Sequence, residues 1–132
     1  MKIIQVIVIA FFASSCMANP SIEEDDCNNI NSSPHLDDCV RKRLVVSNKA
    51  LENEYLRFER RVENDYSADP DLGKDLISVV KKAHDSWIIF RDSNCRVVAF
   101  EVEEGTSAHL TIMNNCTIRM NAERIKELKK LP

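Results

Sequence analysis

The sequence predicts an all-α fold: a three-helix antiparallel bundle with two long helices, stapled by disulfides. Three observations predict it. Apolar residues recur at helical spacing along three separate segments. Two polar breaks separate those segments, and the chain's only glycines, Gly73 and Gly105, stand in or beside them. With 30% charged residues and two glycines in 132, and β-branched residues scattered outside alternating runs, nothing favours a sheet.

The first segment, residues 1–18, reads as a secretory signal peptide and is not part of the fold. MKIIQVIVIAFFASSCMA has Lys2, an apolar run from Ile3 to Ala13 broken only by Gln5, and then small residues. The run is shorter than the ~20 apolar residues of a membrane span. Two processing routes follow. Cleavage after Ala18 would tolerate Cys16 two positions earlier. Alternatively ASSC, residues 13–16, would act as a lipobox and leave a lipidated Cys16, the only route by which the chain would meet a membrane. Either route removes Lys2 and leaves 17 basic against 21 acidic residues, a charge of −4.

Residues 19–33, NPSIEEDDCNNINSS, form a flexible acidic lead segment. The helical domain spans 34–132. Ser33 before Pro34 is a good N-cap and first-turn pair, and Asp37 and Asp38 follow, where negative charge suits the helix dipole. The stripe of the first helix is Leu36, Val40, Leu44, Leu51, Tyr55, Phe58 and Val62. Arg57 and Arg61 are a like-charged pair, with Glu59 and Glu63 as nearby compensation on an ordinary charged surface. DYSADPDLGKD, residues 65–75, ends this helix. Asp69 and Pro70 open the second, whose stripe is Leu72, Leu76, Val80, Ala83, Trp87, Phe90, Asn94 and Val98. The loop EVEEGTSAH, residues 101–109, breaks the chain again. Thr106 or Ser107 caps a third helix with the stripe Leu110, Met113, Thr117, Met120, Arg124, Leu128 and Leu131, and with lysines near its end.

Five cysteines stand at 16, 27, 39, 95 and 116. With Cys16 removed or lipidated, four remain in a small exported chain, the mark of a disulfide framework. Four cysteines allow three pairings. The most local, Cys27 with Cys39 and Cys95 with Cys116, would pin the lead to the first helix and the second helix to the third. There is no CxxC, and His35, His84 and His109 stand at no ligand spacing, so neither zinc nor any other metal is expected. No cofactor motif is present, neither P-loop, dinucleotide fingerprint nor haem-attachment CxxCH. Without a basic patch, nucleic acid is not a partner.

One stretch invites a catalytic reading. His84, Asp85 and Ser86 are the residue types of a hydrolase triad, but consecutive helix positions point about 100° apart and form no relay. Trp87, Arg91 and Cys95 do share one broad face. On it Arg91 would pair with a carboxylate of another helix, stack on Trp87 or meet an acidic partner; Asp92 is about 100° off that line. No set of residues supplies a nucleophile, base and oxyanion site together, so an enzyme is not expected.

The run A83-x3-W87-x3-R91-D92-x2-C95 resembles the C-terminal half of the LprI-like lysozyme-inhibitor domain, a small exported bacterial domain. The similarity extends over residues 27–131. It includes a cysteine pair near the start (Cys27 and Cys39), LENEY with Leu51 and Tyr55, and a last cysteine followed by a helix carrying an arginine (Cys116 and Arg124). This chain has Glu52 where the family has asparagine, Asn121 where it has threonine, and Glu104-Gly105-Thr106 where it has a Gly-Gly-Ser loop. The resemblance implies a helical, disulfide-bonded envelope protein that binds lysozyme, with Tyr55, Trp87, Arg91, Asp92 and Arg124 maintaining structure.

Two functions are therefore expected to compete. The first is inhibition of a basic lysozyme in the periplasm or envelope, with Glu101, Glu103, Glu104, Gly105 and Thr106 as the partner-binding loop; an acidic chain attracts a basic enzyme over long range. The second is a structural or adaptor module that binds another envelope protein through a helix face.

Overall fold

The computed structural model describes Cys27 and residues 29–132. The leader, Cys16 and most of the acidic lead lie outside the described residues. Three helices follow one another: α1 (Ser33–Asp65), α2 (Pro70–Val98) and α3 (Ser107–Leu128). No helix among the described residues is long and apolar enough to cross a membrane. Short connections make α1 and α2, and α2 and α3, antiparallel neighbours, so α1 and α3 run parallel and pack on each other most extensively.

Each helix start is capped by a side-chain oxygen, as the four unpaired N-terminal amides require. The α1 cap is Ser32, which accepts from the His35 amide at 3.4 Å. The expected Ser33 is instead the first helical residue. Asp69 caps α2 by accepting from Leu72 N at 3.2 Å, with Pro70 at the first position. Thr106, not Ser107, caps α3, accepting from His109 N at 3.2 Å. Gly73 is needed for a close approach: a Cβ there would lie 3.0 Å from Tyr66 Cβ, which would push α2 off the end of α1.

The core has two parts. Leu51, Phe58 and Val62 of α1 meet Val80 of α2 and Leu128 of α3 in the larger one. Cys95, Cys116 and Met120 form the smaller. Trp87 packs against both and joins them. The disulfides are Cys27–Cys39 and Cys95–Cys116, each with Cα atoms 5.6 Å apart, so the most local pairing is the one the fold adopts. Loops of these lengths correspond to ~3 kcal/mol of stabilisation each in the chain-entropy account.

The stripes of α1 and α3 hold in phase except at their first residues, Leu36 and Leu110, which are exposed, but that of α2 is rotated from expectation. Leu72, Ala83, Phe90 and Val98 face solvent, while Gly73, Val80, His84, Trp87, Arg91 and Cys95 turn inward. Apolarity alone placed the face wrongly because α2 is apolar on two sides and its inward side carries a histidine and an arginine.

A second correction concerns the charges of α1. Arg57 and Arg61 are compensated by Glu54, which is 3% exposed, and not by Glu59 and Glu63. Each guanidinium lies 3.3 Å from a Glu54 carboxylate oxygen. Arg61 also donates to the Leu128 carbonyl at 2.8 Å, and the two guanidinium groups supply donors and positive charge to a carboxylate that would otherwise be costly to bury.

Candidate partner-binding site

The motif residues meet in one seam. Arg91 is 12% exposed as a side chain and lies 5.6 Å from the Trp87 ring centroid. Its carboxylate partner is its own neighbour, Asp92, at 2.7 Å, and not a residue of another helix. The long arginine stem lets the guanidinium bend back across the 100° that separates the two backbone positions. Arg124 of α3 approaches the same ring, also at 5.6 Å, and pairs with Glu127 at 2.9 Å. Trp87 is thus flanked by two cations, each held by an exposed acid.

Asn121, fully buried, closes the seam. It accepts from Arg91 Nη1 at 2.9 Å and donates to Ser47 Oγ at 3.1 Å and Asn48 Oδ1 at 2.9 Å. One side chain therefore links all three helices. Its burial was not visible in the sequence.

Tyr55, His84 and Trp87 form a stack, with ring centroids 4.9 Å and 6.2 Å apart. Burial lowers the His84 pKa, aided by the charge of Arg124. Burial also pushes the Tyr55 hydroxyl up to about 12, with Glu59 contributing. Asp85 pairs with Lys81 at 2.7 Å, and the Ser86 hydroxyl donates to the Lys82 carbonyl at 2.9 Å. His84, Asp85 and Ser86 accordingly turn to three different sets of neighbours. A cleft of about 280 Å³ beside the stack is lined by Asn48, Leu51, Glu52, Tyr55, His84, Ile88 and Arg91.

The loop that follows α2 is built differently. The Val102 amide bonds the Ala99 carbonyl at 3.0 Å and the Thr106 amide bonds Glu103 O at 3.3 Å. The Thr106 hydroxyl donates to Glu103 O at 2.7 Å. Gly105, at φ +84°, supplies the left-handed residue that closes the turn. Thr106 and Gly105 thus shape the loop, while Glu101, Glu103 and Glu104 are solvent-exposed. These carboxylates line a groove of about 530 Å³ with Arg96, Phe100, Val102 and His109. Phe100, which composition alone did not single out, is 85% exposed. The Cys95–Cys116 bridge fixes the base of the loop, and Asp37 of α1 ties down the start of α3. Asp37 accepts from the hydroxyls of Ser107 and of Thr111, the latter at 2.7 Å. Those two hydrogen bonds hold its pKa below the ordinary carboxylate value. The described residues contain no group of three metal-ligating side chains.

Fold and site together define a class: a small, disulfide-stapled three-helix module with a buried aromatic–arginine seam and an exposed acidic loop. The family model described as "Lysozyme inhibitor LprI" matches residues 24–128, and the chain belongs to this family. A protein of Rhizobium meliloti (strain 1021), described as uncharacterized, is 25% identical over 120 residues, covering 86% of this chain and 84% of its own. The crystal structure of a DUF1311 family protein from Pseudomonas putida KT2440 superimposes with a TM-score of 0.69 at 21% identity. It covers 78% of this chain and 96% of that one, and shows the same fold.

Proposed function

We propose that the protein is an exported, non-enzymatic binding protein that inhibits a basic lysozyme in the bacterial envelope. The observation that carries this reading is the acidic loop: three exposed carboxylates within four residues, on a turn fixed by a disulfide, a glycine and a helix cap. Membership of the family supports a lysozyme as the target. The physical basis is electrostatic. Clustered carboxylates on a short rigid loop steer a cationic surface toward it and lose little entropy on docking. The leader at residues 1–18 delivers the chain to the compartment where such an enzyme acts. The seam of Tyr55, Trp87, Arg91, Asp92 and Arg124 has a structural role, because both arginines pack over the Trp87 ring while each pairs with an acid beside it.

The test is a titration of animal-type lysozyme turnover with the oxidised protein at low and physiological salt. Inhibition at micromolar protein, weakening as salt rises, is the expected result. Unchanged turnover would exclude that lysozyme as the target. The adaptor reading is favoured by a separate observation, the exposed apolar residues along the outer face of α2.

A further inference from the structure

The outer face of α2 is apolar and uncovered. Leu72, Val79, Phe90 and Val97 are 53, 63, 58 and 74% exposed. At 100° per residue they project within about 20° of one line. Between them the small residues Ala83 and Ser86 give the steps 79, 83, 86 and 90, the three-four alternation of a coiled-coil seam. The opposite side of the same helix is already used by the bundle. A 29-residue helix offers about 43 Å of such a seam, far more than a scattered surface leucine or valine.

We propose that this face pairs with the same face of a second copy of the chain, antiparallel, about a two-fold axis through Ser86. The order of side chains selects this arrangement. With the axis at Ser86, Ser86 meets its own copy, Val79 meets the small Ser93 of the second copy, and Phe90 comes level with its Lys82, one residue from the small Ala83. Large side chains therefore face small ones near the centre, where the helices must approach most closely. The flanking charges select the same register. Asp75 comes within one residue of Arg96 of the second copy, close enough for the two charges to attract, and symmetry repeats the pair. Neither residue has an ion-pair partner among the described residues of its own chain. A parallel pair would stack Phe90 on Phe90, Asp75 on Asp75 and Arg96 on Arg96, which combines overpacking with like-charge repulsion. The antiparallel dimer sends its two acidic loops to opposite ends, so it is independent of the lysozyme reading and compatible with it.

Sedimentation velocity on the full oxidised chain, purified after export, tests the proposal. The expected species at micromolar concentration has twice the mass of one chain. Phe90→Glu should raise the dissociation constant at least about 30-fold while helical content and both disulfides are retained. Because that variant changes a large side chain, the exposed Arg96→Asp provides a second probe: it should weaken the dimer, and Asp75→Arg in the same chain should restore it. Ser86→Cys should form an interchain disulfide across the axis, and Val79→Cys should not. A monomer at all concentrations, a dimer indifferent to Phe90→Glu, a charge swap without rescue, or cross-linking at position 79 would each overturn the proposal. Inhibition of lysozyme is measured separately, so failure of one reading leaves the other standing.

Discussion

Replacing Asn121 with alanine should destabilise the protein by about 2–4 kcal/mol. The side chain makes three hydrogen bonds, one to a guanidinium and two to α1. A bond to a charged group contributes ~1.5–3 kcal/mol and a neutral one ~1 kcal/mol net. The sum is an upper figure, since Asn48 is exposed and Ser47 partly so, and both regain water when Asn121 is removed. Arg91 is the costly partner, because its guanidinium is mostly enclosed and keeps only Asp92. Urea unfolding of the oxidised protein, followed by helical circular dichroism, gives the midpoint and slope. A shifted midpoint at constant slope is the expected result. Asn121→Thr keeps one hydroxyl and should lie between wild type and alanine. A double-mutant cycle with Arg91→Met should show a coupling of at least about 0.5 kcal/mol. If Asn121→Ala unfolds within ~0.5 kcal/mol of wild type, the three-helix junction is not an energetic feature of the fold and the reasoning fails.

Removing the Cys95–Cys116 bridge by paired alanine substitution should cost ~3 kcal/mol on the same urea assay; a loss under ~1 kcal/mol would show that packing alone holds α2 to α3. For His84, burial and neighbouring arginines disfavour the charged form, so the folded state takes up its proton at lower pH than the unfolded chain. The stabilisation is complete above the ordinary histidine value of 6.5 and declines as pH falls from there toward the lowered folded value. Thermal melts from neutral to mildly acidic pH should therefore slope downward in wild type and less so in His84→Phe, and equal slopes would contradict the assignment. Converting Glu101, Glu103 and Glu104 to glutamine should slow association with an animal-type lysozyme by about tenfold or more at low salt without moving the urea midpoint. An unchanged association rate would place the contact elsewhere.

Much of this architecture was legible in the chain itself. Helical spacing, the Asp69–Pro70 and Thr106 caps and the glycine-containing breaks are local signals, set by backbone geometry and amide satisfaction within a few residues. The disulfides were legible because short separations favour local pairing. The candidate loop was legible as a charge cluster, although the exposure of Phe100 just before it was not, since one phenylalanine in a sequence carries no record of its exposure.

What the sequence by itself determined was the number of helices, their order and the loops between them. Tertiary structure alone decided which side of α2 faces inward. Hydrophobicity favoured Phe90 and Val98, yet packing chose His84 and Arg91, because Trp87, Asp92 and Asn121 supply ring faces, charge and hydrogen bonds that those residues can use. It likewise decided that Glu54 is buried between two arginines and that Asn121 joins three helices. The Asn121 junction depends on partners 30 to 74 residues away in the chain. A pattern read along one helix has no term for them.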